Sequence, residues 1–140
     1  MTTFIFRRSL TIAWGDCDPA GIVFNPRFFE MFDANTWLMF EAALGTRAHE
    51  INAHYGIVGV ALVDARANFI KPVKFGDTIE LVSRVTEFRR TSFHIEHRLF
   101  TGGELAVEGE EVRVWSKRRE DDPDQIRAGA IPVEVIEKFG

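Results

Sequence analysis

The sequence predicts an α+β domain: one long, largely buried helix wrapped by an antiparallel sheet of about five strands. Three observations lead there. The segment 26–44 contains neither Pro (beyond its first residue) nor Gly and is densely apolar. The chain beyond it reads almost throughout as strands separated by turn signals. The order of elements is strand, helix, then four or so antiparallel strands, which sets one enclosed helix against one large sheet. The 140 residues, 46% hydrophobic with 13 Phe and 3 Trp, suffice for one core, so residues 1–140 are read as one domain.

Residues 4–14 place Phe4, Phe6, Leu10, Ile12 and Trp14 on one parity, interrupted by Arg8, and read as a half-buried strand. From Pro26 to Leu44 the apolar residues cover most of the helix circumference, and Gly45 is a natural stop. Residues 46–56 suggest a short helix or turn. Val58–Ile70, Thr78–Phe88, Ser92–Phe100 and Leu105–Ser116 read as strands. Thr101-Gly102-Gly103-Glu104 is a hairpin turn, since paired glycines satisfy positive φ. Residues 117–130 are charged, contain Pro123 and read as a loop; 131–139 form a short strand or helix. A single open sheet leaves an edge that invites a second copy, so at least a dimer is expected.

Composition limits the function. A net charge of −4 argues against general nucleic-acid binding. No apolar run approaches the 18 or so residues that span a bilayer. The charges at Arg7 and Arg8 follow the first apolar residues, unlike a signal peptide, and the lone Cys17 allows no internal disulfide; a cytoplasmic location is expected. His94 and His97 fall on opposite strand faces, and no Cys/His cluster, Gly-rich phosphate loop or Ser nucleophile elbow is present. No metal or cofactor is expected.

The stretch Trp14–Pro26 is the chemically pointed one. It puts Asp16 and Asp18 in a Pro/Gly loop that ends at Asn25-Pro26, a helix-start signal. A carboxylate beside the positive end of a helix could attack and polarise an acyl carbonyl. Asp18 could equally shape a turn through its own backbone. Asp16 reads as a loop-holding residue. Cys17, flanked by two carboxylates that disfavour its thiolate, reads as packing. Asp33 carries a charge in the most apolar segment, two helical turns and about 12 Å beyond Asn25. It either faces a solvent gap or partner subunit, or accepts a hydrogen bond from a polar acyl group. Arg89, Arg90 and Arg127 are either solvated strand ends or phosphate contacts, a role arginine's paired donors suit. For Lys117, Arg118 and Arg119 the solvated reading is preferred.

Gly15-Asp16-Cys17-Asp18-Pro19-Ala20-Gly21-Ile22-Val23 resembles the signature of the 4-hydroxybenzoyl-CoA thioesterase family of hotdog-fold proteins. Asp33, Gly56-Ile57-Val58-Gly59, Phe75-Gly76-Asp77, Arg89-Arg90-Thr91-Ser92-Phe93, and Arg127 with Ile131-Pro132 extend the match over nearly the whole chain. The resemblance implies a hotdog fold, cytoplasmic hydrolysis of an aromatic acyl-CoA, and a homodimer assembling to a homotetramer. It implies Asp18 as the catalytic carboxylate and the Asn25 N–H as the donor to the thioester carbonyl. It further implies Phe24, Asp33 and Val60 around the acyl group, and Arg89, Arg90, Ser92 and Arg127 on the CoA nucleotide. Two positions depart from the family pattern: Asn25 replaces an aromatic, and Val60 replaces a hydroxyl-bearing residue. The alternatives are a broad short-chain acyl-CoA thioesterase and a non-catalytic acyl-CoA-binding domain.

Overall fold

The computed structural model describes residues 2–140. In chain order the elements are β1 (Phe6–Thr11), a 3-10 turn (Trp14–Asp16), α1 (Pro26–Leu44), α2 (Ala48–Tyr55), β2 (Gly59–Phe69), β3 (Thr78–Phe88), β4 (Ser92–Thr101), β5 (Glu104–Arg118), β6 (Ile126–Ala128) and α3 (Val133–Glu137). The sheet is antiparallel in the order β1-β3-β4-β5-β2. No helix among the described residues is long and apolar enough to cross a membrane.

The helix α1 has the bounds its punctuation sets. Pro26 opens it, and Gly45 closes it with φ 71°, a left-handed conformation that costs glycine little. One stripe, Phe28, Met31, Phe32, Asn35, Thr36, Met39 and Phe40, is buried against the sheet, while Glu30, Asp33 and Ala34 are exposed. Thr101 and Glu104 pair across Gly102 and Gly103, whose φ of 59° and 78° suit a tight hairpin.

One segment differs from the sequence expectation, and one strand is irregular. Residues 126–128 are not loop: β6 pairs with Ser116–Arg118, on the side of β5 that β4 has vacated. A three-residue strand has no pattern of its own and exists because a partner is available. In β2 a register shift between Leu62 and Asp64 breaks the alternation. Val60, ahead of the shift and paired with Trp115, is buried, while Leu62 and Val63 are exposed along the unpaired edge of the sheet.

The inward-facing residues form two apolar clusters. One gathers Met39, Phe40, Ile95, Trp115 and Phe139; the other gathers Phe28, Phe32, Leu81, Leu99 and Val107. Between them the inward positions of three neighbouring strands carry Ser83, His97, Glu111 and Arg113, all buried. α1 lies close over this belt. A Cβ at Gly109 would stand 2.8 Å from Phe32 Cδ2, so glycine is what allows the ring to settle on the sheet.

Candidate active site

The motif loop folds back on itself. Asp18 N–H donates to the Ile22 carbonyl (2.9 Å), Cys17 bridges Val23, and Phe24 N–H donates to the Asp16 carbonyl (2.8 Å). Gly21, at φ 79°, turns the tip and donates to the Asp18 carbonyl (2.9 Å). Asp16 Oδ2 accepts the Ala13 N–H (3.2 Å), a loop-holding bond. Asp18 Oδ1 accepts the Ala20 N–H (2.9 Å), which fixes the side chain on a half-exposed loop. Among the described residues Oδ2 has no hydrogen-bond partner. The turn-forming and the chemically free carboxylate are thus the same side chain, one oxygen each. Partial burial, then the charges of Asp16 and Asp18, push the Cys17 thiol up, away from a thiolate nucleophile.

Asn25 occupies the cap position but does not cap. Its backbone is already helical (φ −46°, ψ −43°) and its side chain makes no capping bond. The first turn tightens instead: Arg27 N–H bonds the Phe24 carbonyl (2.8 Å) and Phe28 N–H bonds the Asn25 carbonyl (3.1 Å). The Asn25 N–H joins the open amides of the helix start, with no backbone acceptor among the described residues. Beside it lies a cavity of about 200 Å³ lined by Ile22, Val23, Asn25, Phe28 and the 69–73 segment. Phe24 is exposed next to it, and Trp14 and Phe75, in edge contact at 5.4 Å, expose further apolar surface at this end.

Asp33 is on the exposed side of α1, and its charge is met by Arg113, whose Nη2 donates to Asp33 Oδ1 at 2.7 Å. Val60 turns its side chain into the core, and its carbonyl accepts Arg113 Nη1 at 3.1 Å. Arg113 also grips Glu111 through Nε (2.9 Å) and Nη2 (3.2 Å). Thr36 Oγ1 donates to Glu111 Oε1 at 2.6 Å, and His97 Nε2 stands 3.3 Å from the same oxygen. The line continues from His97 Nδ1 to Ser83 Oγ (2.5 Å), from Asn35 Nδ2 to Ser83 Oγ (2.5 Å), and from Arg8 Nε to Asn35 Oδ1 (2.9 Å). Burial pushes the Glu111 carboxyl up, but hydrogen bonds from His97 and Arg113 and their charges outweigh it and leave it at about 2. Burial would lower the Arg113 guanidinium; Glu111 and Asp33 reverse this and raise it. Asp33 is legible in the sequence as an isolated charge, whereas Arg113, the partner that satisfies it, is not. The sequence trace of the belt is parity alone: Ser83 shares the parity of Leu81, His97 that of Ile95, and Glu111 and Arg113 that of Trp115.

The basic candidates converge elsewhere. Arg89 and Arg90 form the β3–β4 turn, closed by Arg89 N–H on the Ser92 carbonyl (2.8 Å). Arg127 lies on β6, and the chain just after it returns to this turn, with Ile131 N–H on the Arg90 carbonyl (2.8 Å). Arg89 is exposed and paired with Glu87 at 3.1 Å. The motif loop, by contrast, is fastened just before β3 by the Ile22–Lys74 bridge and by Phe75 N–H on the Gly21 carbonyl (2.9 Å). The eleven residues of β3 therefore put about 33 Å between Asp18's end of the sheet and that of Arg89.

One long helix laid on an antiparallel sheet, with a carboxylate loop leading into the helix start, is the architecture of the hotdog-fold thioesterases. The chain belongs to the thioesterase-like superfamily, whose family model matches residues 12–139, and within it to the 4-hydroxybenzoyl-CoA thioesterase family; it is a thioester hydrolase. A curated relative, 4-hydroxybenzoyl-CoA thioesterase of Pseudomonas sp. (strain CBS-3), is 32% identical over 93% of this chain and 96% of its own. The solved structure of 4-hydroxybenzoyl-CoA thioesterase from that strain superposes with a TM-score of 0.88 at 28% identity, covering 97% of this chain and 99% of its own. A gentisyl-coenzyme A thioesterase superposes with a TM-score of 0.81 at 25% identity, covering 96% of this chain and all of its own (100%).

Proposed function

We propose that the protein hydrolyses an aromatic acyl-CoA, with hydroxybenzoyl-CoA the leading candidate, to the free acid and CoA. The observation that carries this is the division of labour on Asp18: Oδ1 is held by the Ala20 N–H while Oδ2 is free, on a half-exposed loop running into the helix start. The Asn25 N–H and the positive end of α1 would draw electron density onto the thioester oxygen. Asp18 Oδ2 then attacks the carbonyl carbon and expels the CoA thiolate, leaving a mixed anhydride that water cleaves to the acid. In the other form of the reaction it takes a proton from a water that attacks instead. Thiolate is a good leaving group, so neither course needs a strong general acid. The acyl assignment is supported by the relatives named for 4-hydroxybenzoyl-CoA and gentisyl-CoA, and by Asp33 beyond the helix start.

The working unit in this reading is a homodimer, which assembles further to a homotetramer. Its support is the unpaired β2 edge with Leu62 and Val63 exposed, and a helix-start cavity smaller than the roughly 300–1,000 Å³ usual for ligands. The distance between the motif loop and Arg89, Arg90, Ser92 and Arg127 points the same way: the CoA-binding arginines of one chain serve Asp18 of the other. A thiol-release screen across aryl- and alkyl-CoA esters tests the substrate class. Turnover of aryl esters that disappears in Asp18→Asn is the expected result; full activity in that variant overturns the catalytic assignment.

A further inference from the structure

Arg113 is almost sealed from solvent, its side chain 3% exposed, whereas the Asp33 side chain it bonds is 57% exposed. The guanidinium touches β5 through Glu111, β2 through the Val60 carbonyl and α1 through Asp33. It cannot swing, because Glu111 is itself held by Thr36 and by His97. A ligand at this place therefore meets Asp33 and not Arg113. What it meets first is Oδ2, which is open, since Oδ1 already accepts Arg113 Nη2 at 2.7 Å.

The geometry points to Arg113 as the positioning residue that sets the substrate preference. It holds Asp33 as an oriented anionic acceptor for a hydroxyl on the acyl group, which rests on the reading above that Asp33 meets the far end of that group. An exposed aspartate left alone would spread over several rotamers and reward a hydroxyl weakly. One fixed at Oδ1 presents a single direction for the incoming O–H. The same arrangement discourages an acyl group that ends in its own carboxylate, because that charge would face Asp33. The competing explanation is that Arg113 only neutralises buried Glu111, in which case its replacement would not discriminate between substrates.

The test is steady-state thiol release from 4-hydroxybenzoyl-CoA and benzoyl-CoA, which differ by one hydroxyl, in wild type and Arg113→Lys. Lysine keeps a positive charge beside Glu111 but cannot reach three acceptors as a fork. The expected result is that the ratio of kcat/KM for the two esters falls about tenfold towards unity, with the change in KM. Asp33→Asn should give the same loss, and the double variant no more than either alone, because both act through one contact. An unchanged ratio, including a parallel fall on both esters, overturns the inference. Should Arg113→Lys fail to fold, Asp33→Glu on the exposed helix face carries the test. It keeps the charge but moves it one methylene past the fork, so retention of the wild-type ratio is again contrary. Wild type that cleaves neither ester sinks the functional reading instead, which keeps the two failures apart.

Discussion

The Phe32 ring lies flat on the His97 imidazole, with 4.8 Å between centroids and 4° between planes. This contact joins the apolar cluster of Phe28, Leu81, Leu99 and Val107 to the polar belt that crosses the middle of the sheet. It depends on Gly109, which pairs with His97 on the neighbouring strand and leaves room for the ring.

Gly109→Ala should therefore destabilise the fold by about 1–3 kcal/mol, the usual result of forcing a methyl into a packed core. The cost arises because the new Cβ would press on the Phe32 ring, 2.8 Å away at Cδ2, and the ring cannot leave without losing His97. Urea unfolding of the two proteins measures it. The double variant Gly109→Ala with Phe32→Leu should recover part of the loss, and a Gly109→Ala midpoint equal to wild type would contradict the packing described.

Glu111 makes acid stability predictable in sign. Its folded pKa, about 2, lies below the ordinary 4.5, so its contribution is complete above about pH 4.5 and is lost as the pH falls towards 2. Glu111→Gln should be less stable than wild type at pH 7, because Arg113 loses its buried countercharge. The gap should narrow as the pH is lowered through that window. Denaturant midpoints at several pH values between 2 and 7 measure the gap, and a constant difference would show that Glu111 is not charged in the fold.

Much of the architecture could be read directly because it is punctuated locally. Pro26 and Gly45 bound α1, and Gly102-Gly103 forms the β4–β5 turn. β6 was not legible, since Ile126–Ala128 is a strand only because β5 outlasts β4. The belt was missed for a related reason. On β5, Val112 and Val114 lie on one parity and Glu111, Arg113 and Trp115 on the other, so the sequence does not say which set faces the helix. Only the pairing with β4 decides it, and it chooses the charged set. Asp33 was visible as an anomaly, but the residue that satisfies it lies 80 positions away.

Arg89→Ala and Arg90→Ala should raise KM with little change in kcat, and together should flatten the dependence of KM on salt. The two side chains lie in an exposed turn, where their removal costs little stability and their work would be to attract phosphates. Michaelis constants at low and high ionic strength check this. A loss confined to kcat would move these arginines from CoA binding to the reacting centre.

The separation of the motif loop from the arginine turn makes a sharper prediction possible. On the proposed reading, Asp18→Asn would remove one half of the site, and the Arg89→Ala/Arg90→Ala double variant would weaken the other. If each site of a symmetric dimer takes Asp18 from one chain and the arginines from its partner, a mixed dimer concentrates both defects in one site and leaves the second wild-type. Random mixing makes half the dimers hybrid, so co-refolding equal amounts should recover about a quarter of wild-type activity at low substrate concentration, above the average of the two variants alone. If one chain supplied both groups, every site would carry a defect and mixing would yield only that average. The roughly 33 Å spanned by β3 makes recovery the expected outcome, and its absence would place the CoA-binding groups somewhere other than the β3–β4 turn.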